Sequence, residues 1–367
     1  MKSSIKSLRF IYSLARFNPD NYPKVDIKDS FYVGLDNNKI PLKILFRKDK
    51  KTKNNIILFP GASPDAENHA GMLFLASIIC ELGYKIFIPR IPPLKELRLN
   101  DECFDWFAHA YSEIIKRDEF ITDIMNLHIK RRGSLSTMAM ALSFGGGLLL
   151  KASLDSRISS YPPKSIMTFG TYCDIQSTLK FLCDGEINLE DKSYIIKPHS
   201  WGLTVLFHNF LDQFNFEEIK DYKDKVRKII NLRIQDKLDE VDYEISQLPD
   251  VPGEFMKNIF NSKINKKIKD EIYRVINKEK EFVQLMSPKY WGQKIREKVF
   301  IMHGSNDSMV PFTESINLNK CIDNSELFIS YMYEHKEIST DKGLLFKVKE
   351  FHKMYKFFKE YFKYNES

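Results

Sequence analysis

Met138-Ala-Met-Ala-Leu-Ser143-Phe-Gly145-Gly146-Gly147-Leu-Leu-Leu150 reads as a buried strand running straight into an apolar helix, with a serine at the junction. A sharp strand-to-helix turn at that serine needs small neighbours, because a nucleophile held there has a strained backbone and its Oγ must stand clear of the sheet. Ala141 and Gly145, two residues before and after, are small. Glycine is scarce, 15 of 367 residues, so three in succession argue for close backbone packing beside the turn. Serine is also a favoured helix N-cap, and on these residues alone Ser143 fits that plainer role as well.

Working outward, short apolar runs without polar alternation recur at 55–59, 85–89, 135–142 and 165–170, as parallel strands covered on both faces require. Helix-period segments at 68–82, 101–117 and 144–153 separate them. Ahead of this series, 30–33 and 40–46 flank a Gly-Leu-Asp-Asn-Asn turn and predict an antiparallel hairpin. The strand rhythm returns at 298–303, followed by a helix at 311–321, a strand at 326–333 and a closing helix at 343–364. The fold class expected is α/β: a mostly parallel central sheet with helices on both faces, whose functional groups collect at the carboxyl ends of the strands.

Between Asp174 and Lys294 the chain changes to charged, helix-period material. At about 120 residues this segment is too long for a loop, and it predicts an inserted helical subdomain. The division expected is an N-terminal helical extension (1–29), a core (30–173 and 295–367) and a helical cap (174–294).

Hydrophobic residues make up 43% and aromatics 13%, with 28 Phe and 17 Tyr, which excludes disordered and low-complexity classes. The net charge of +7 comes from 56 Lys and Arg interspersed with 49 Asp and Glu, a pattern that does not mark a nucleic-acid partner. Five cysteines without a Cys-x-x-Cys pair suggest reduced thiols and a cytoplasmic protein. No metal motif is present, and Gly145-Gly146-Gly147 has neither dinucleotide nor P-loop spacing, so no cofactor is implied. The apolar stretch 138–150 is too short to cross a bilayer, which takes roughly 20 residues. At the N-terminus Lys2, Lys6, Arg9 and Arg16 surround Ile5, Leu8, Ile11, Tyr12 and Ala15 in a basic amphipathic helix, open to two readings: packing on the body, or peripheral contact with a membrane surface.

Three further stretches fit the serine junction. Ile57-Leu-Phe-Pro60-Gly61-Ala62-Ser63 ends a buried strand in a glycine turn. Val299-Phe-Ile-Met-His303-Gly304-Ser-Asn-Asp307-Ser-Met-Val-Pro311 places an acid just past another, and Leu327-Phe-Ile-Ser-Tyr-Met-Tyr-Glu334-His335-Lys336 ends a β-rich run in a histidine. With 138–150 these segments resemble the α/β-hydrolase fold superfamily, in its serine hydrolase type with a cap. Ala141 and Pro60 depart from the usual glycine and histidine. The resemblance implies Ser143 as nucleophile, His335 as base, Asp307 as its orienting acid with Asp174 as reserve, and the N–H groups of Ala62 and Phe144 as oxyanion hole. By their residues alone, 60–63 also fit a plain turn and Asp307 a helix cap. Within the cap, Trp201, Phe207 and His208 read either as pocket lining or as the cap's own core. The activity implied is hydrolysis of a carboxylic ester, thioester or amide of a small acyl substrate. Acyl transfer would use the same groups, and a non-catalytic binding protein could keep the same fold.

Overall fold

The computed structural model describes residues 2–16, 23–49, 52, 54–118, 120, 137–189, 192–331, 333–334, 337–338 and 344–367. Its strands are β1 (Asp26–Val33), β2 (Lys39–Phe46), β3 (Asn54–Phe59), β4 (Tyr84–Pro89), β5 (Met138–Leu142), β6 (Ser165–Phe169), β7 (Glu186–Leu189), β8 (Lys192–Ile195), β9 (Lys298–Gly304), β10 (Ser325–Ser330), β11 (Tyr333–Glu334) and β12 (Glu337–Ile338). Its helices are α1 (Lys2–Leu14), α2 (Ala70–Glu81), α3 (Pro92–Lys95), α4 (Glu102–Ile115), α5 (Phe144–Ala152), α6 (Ser156–Ser159), α7 (Ile175–Asp184), α8 (Ser200–Phe210), α9 (Lys223–Ile234), α10 (Leu238–Ser246), α11 (Asp250–Phe260), α12 (Lys266–Lys278), α13 (Lys280–Met286), α14 (Thr313–Cys321) and α15 (Leu344–Glu366).

The unbroken apolar runs lie in the middle of an eight-stranded sheet ordered β1-β2-β4-β3-β5-β6-β9-β10. The opening hairpin pairs antiparallel, β2 joins β4 antiparallel, and every later pair is parallel. Residues 56–59 of β3 and 138–141 of β5 are all buried, because helices cover both faces. One face packs α1, α2 and α15 against alternate strand residues such as Ile56, Leu58, Met140 and Phe300. The opposite face packs α4 and α5 against Ile57, Phe59, Ala139 and Ala141. This is the alternation that a sheet buried on both sides imposes.

Between β6 and β9 the described residues form seven α-helices, α7 to α13, and a two-stranded antiparallel hairpin, β7–β8. The sequence reading expected helices alone here. Gly185 makes the difference: it ends α7 at φ +69, and a Cβ on it would lie 2.2 Å from the Ile196 carbonyl oxygen, so the chain turns sharply into an extended segment. Within this insertion Phe207, Phe214, Phe216 and Phe255 pack on one another at centroid separations of 4.9–6.0 Å. The final central strand, expected over 326–333, ends at Ser330.

Candidate active site

Parallel register lines up the strand ends. Phe59 of β3 sits opposite Ala141 of β5, Leu142 opposite Phe169 of β6, and Phe169 opposite Met302 of β9. One step beyond these pairs, the Ser143 N–H donates to the Phe169 carbonyl at 2.6 Å and the Gly170 N–H to the Met302 carbonyl at 2.8 Å. Gly61, Ser143, Gly170 and His303 therefore form a row along the carboxyl edge of the sheet.

Ser143 has φ +51 and ψ −129, a conformation that a residue with a Cβ adopts only under strain. Its Oγ makes no capping hydrogen bond to α5, so the plainer N-cap role is not the one it fills. The surrounding packing holds the turn. A Cβ on Gly145 would lie 2.1 Å from the Pro60 carbonyl oxygen, and one on Gly146 would lie 1.7 Å from Thr171 Oγ1. That hydroxyl donates to the Ser143 carbonyl at 2.6 Å, so the loop after β6 clamps the serine through its backbone. Ala141, in place of the usual glycine, is an ordinary buried strand residue between Phe59 and Thr168.

A cavity of about 1030 Å³ opens above these strand ends, a volume suited to a small-molecule ligand. Ser143 lies on its floor with Gly61 and Ala62 of the turn after β3 beside it. Phe144 is the first residue of α5, and its ring stacks on Tyr172 at 5.2 Å, pinning the start of the helix. Leu142, Met72, Trp201, Ile234 and Met309 supply apolar wall, while Lys95, Arg98, His199 and His208 supply polar wall. Strain gathers around this space. Of the non-glycine residues with positive φ, Ala66, Ser143 and Asp236 line the cavity, and Leu97 lies between the lining residues Glu96 and Arg98.

Asp307 follows β9 and does two things at once. Its Oδ1 accepts the Met309 and Val310 N–H groups at 2.8 and 2.9 Å, a local turn and not the helix cap its residues also suggested, since α14 starts only at Thr313 and its N-cap Phe312 has no side-chain cap. Its Oδ2 points toward Gly170, 3.1 Å from where a Cβ would stand, and Gly170 has φ +62, so glycine is favoured there on both counts. Among the described residues Oδ2 accepts no good hydrogen bond: His303 Nε2 is 3.6 Å away, and that nitrogen already donates to the Val310 carbonyl at 2.9 Å. Burial opposes ionisation of Asp307, but the His303 ring and the Val310 and Met309 N–H groups outweigh it and hold the carboxyl below its usual range. His335 lies outside the described residues. Asp174, the reserve acid, is elsewhere: it caps Gln176, pairs with Lys289 at 3.1 Å, and lines a separate cavity of about 620 Å³ with Cys173 and Glu314.

The insertion contributes through α8. Trp201 and His208 are seven residues apart on one helical face, and both reach the cavity. Phe207 does not; it is a quarter turn away, fully buried in the phenylalanine cluster, and the pocket role expected of it is corrected to core packing. His208 donates through Nε2 to the Glu96 carbonyl at 3.0 Å, and burial lowers its pKa below the ordinary histidine value, which favours the neutral ring. His199, in the stretch with Trp201 that the sequence offers as pocket lining, reaches the cavity too; sequence reasoning did not single out Lys95, at the end of α3, or His69, just ahead of α2, because neither lies in a motif.

No family sequence model and no curated protein matches this chain. Solved structures do. A Legionella pneumophila protein carrying a provisional hydrolase description is 13% identical, with 97% of this chain and 95% of that one superposed at a TM-score of 0.55. Pyrococcus horikoshii acylaminoacyl peptidase is 10% identical at a TM-score of 0.46; the match covers 94% of this chain but only 42% of the peptidase, so this chain spans less than half of its length. An esterase from Exiguobacterium antarcticum is 14% identical over 93% of this chain and 100% of that one, at a TM-score of 0.41. The sheet order, the strained serine turn and the full-length match to the Legionella protein show that this chain has the α/β-hydrolase fold.

Proposed function

We propose that the protein is a serine hydrolase acting on a carboxylic ester, with thioesters and amides as neighbouring substrates. The observation that carries this reading is Ser143, held at φ +51 with an uncapped Oγ on the floor of a cavity large enough for a small acyl compound. Asp307 supports it. It lies against Gly170, and Gly170 and Ser143 are neighbours at the ends of β6 and β5, so the acid stands at the same edge of the sheet as the nucleophile.

In this mechanism His335, which the sequence places between β10 and α15, takes the Ser143 proton as Oγ attacks the carbonyl carbon. Oδ2 of ionised Asp307 accepts the other ring N–H and stabilises the imidazolium. Negative charge developing on the carbonyl oxygen is met by the N–H groups of Ala62 and Phe144. The imidazolium then protonates the leaving group, and water, activated by the same ring, releases the acid from the acyl-enzyme. The insertion acts as a cap: Trp201 and His208 bound the acyl or alcohol side of the cavity from above.

A fluorophosphonate probe, which modifies activated serines, tests the reading. Wild type should label, and Ser143→Ala and His335→Ala should not, with circular dichroism confirming that each is folded. Asp307→Asn should label far more slowly. Labelling that persists in Ser143→Ala refutes the nucleophile. A folded wild type that neither labels nor cleaves short-chain or long-chain p-nitrophenyl esters refutes the enzyme and favours a binding protein on this fold.

A further inference from the structure

Helix α1 is apolar on two opposite faces. One packs inward: Phe10 and Ile11 are buried, with Phe10 against Phe358 and Phe362 of α15 at 4.5 and 6.0 Å. On the other, Ile5, Leu8 and Tyr12 are 48%, 46% and 58% exposed. Successive residues on a helix turn by about 100°, so these three side chains fall on one stripe, directed away from the buried face. A helix that only clamps the sheet would carry polar residues there.

The stripe continues onto α15. Phe10 is level with Phe358–Phe362, and Lys6 pairs with Glu366, so the two helices run antiparallel in one layer on the same face of the sheet. Since both helices rise 1.5 Å per residue, the end of α1 stands level with about residue 356 of α15. Just beyond, Leu345, Val348 and Phe351 are exposed too.

Positive charge frames this surface. Arg9, Arg16, Lys349 and Lys356 are exposed and pair with no carboxylate among the described residues; the Arg16 guanidinium lies over the Tyr12 ring at 4.4 Å. The carboxylates of these two helices are spoken for: Glu350 pairs with Lys353, Glu360 with Lys363 and Glu366 with Lys6. A second copy of the chain docked here by a two-fold axis would set these unpaired cations against each other, which disfavours a self-interface. A lipid surface with anionic headgroups matches both properties: it takes apolar side chains at the headgroup boundary and pays for cations around them.

We propose that the outer face of α1, extended by the first turns of α15, docks the protein on anionic phospholipid membranes. No helix among the described residues is long and apolar enough to span a bilayer, so the contact is peripheral. It holds whether or not Ser143 is a nucleophile.

The full-length protein should sediment with vesicles of phosphatidylcholine containing phosphatidylserine, and much less with phosphatidylcholine alone. Raising the salt to about 1 M, where the Debye length falls to about 3 Å, should weaken binding. The triple variant Ile5→Ser, Leu8→Ser, Tyr12→Ser should bind anionic vesicles at least about tenfold more weakly, since it removes the inserted apolar groups. Its targets are about half exposed, so its unfolding midpoint should fall only modestly. Should it misfold, Arg9→Glu with Lys349→Glu removes the electrostatic part alone and should abolish the preference for phosphatidylserine. Equal binding by wild type and both variants overturns the proposal. So does wild type that ignores anionic vesicles, or that forms a dimer in solution which the triple variant dissolves.

Discussion

Replacing Ser143 with glycine should stabilise the protein relative to Ser143→Ala, reversing the usual order of these two residues at the start of a helix. At φ +51 and ψ −129, any residue with a Cβ bears a strain of about 1–3 kcal/mol. Serine and alanine both bear it. Since Ser143 Oγ makes no cap, alanine loses no hydrogen bond to α5 and should be about as stable as wild type. Glycine escapes the strain but gives the unfolded chain extra freedom, at a cost of roughly 0.5–1 kcal/mol. The difference leaves Ser143→Gly level or ahead, by up to about 2.5 kcal/mol. Urea unfolding of the three proteins, followed by circular dichroism and tryptophan fluorescence, measures it. An alanine variant more stable than the glycine variant by about 0.5–1 kcal/mol, the order found where the backbone is relaxed, would refute the argument that the turn is strained.

Gly145→Ala should lose about 2–3 kcal/mol, because its Cβ would meet the Pro60 carbonyl at 2.1 Å and backbone cannot step aside as a side chain can; an unchanged urea midpoint would contradict the packing. Phe207→Ala should cost about 3–5 kcal/mol as a core cavity, whereas the half-buried Trp201→Ala should cost distinctly less and act on ligand binding instead; equal destabilisation would contradict the two placements. Glu314 is buried, and its carboxyl accepts the Cys173 and Asp174 N–H groups at 2.9 and 2.7 Å. Burial raises its pKa above 4.5, so the folded state holds this proton more tightly and the corresponding stability is present below about pH 4.5 and lost as pH rises through the folded value. Glu314→Gln keeps an acceptor for both N–H groups and has no proton to lose, so its stability relative to wild type should increase from about pH 4.5 to pH 8; a constant difference across that range would refute this.

The segments that carry the fold were legible because they are local. The runs at 55–59 and 165–170 have no polar alternation, and only strands covered on both faces tolerate that, so the parallel centre of the sheet followed directly. Ser143 was legible for the same reason: the small residues that its turn needs are its own neighbours. The β7–β8 hairpin was hidden because two four-residue strands are too short to establish a period, and the decisive glycine, Gly185, also looks like an ordinary helix stop.

What the sequence by itself determined was the order of elements, the serine junction and the acid past β9. What only tertiary structure decided was which side chains share a space. Trp201, Phe207 and His208 are equivalent as residue types; rotation about α8 sends two to the cavity and one to the core. Lys95 ends α3 after β4, His69 precedes α2 after β3, and His199 precedes α8 in the insertion after β6; they line one cavity with Ser143 because parallel register brings the carboxyl ends of β3, β4, β5 and β6 to one edge. On α1 the sequence showed one apolar stripe with basic flanks, but not that Phe10 and Ile11 face inward while Ile5, Leu8 and Tyr12 remain outside. Periodicity fixes how residues are arranged around a single element. Which face is covered, and by what, depends on neighbours supplied from far along the chain.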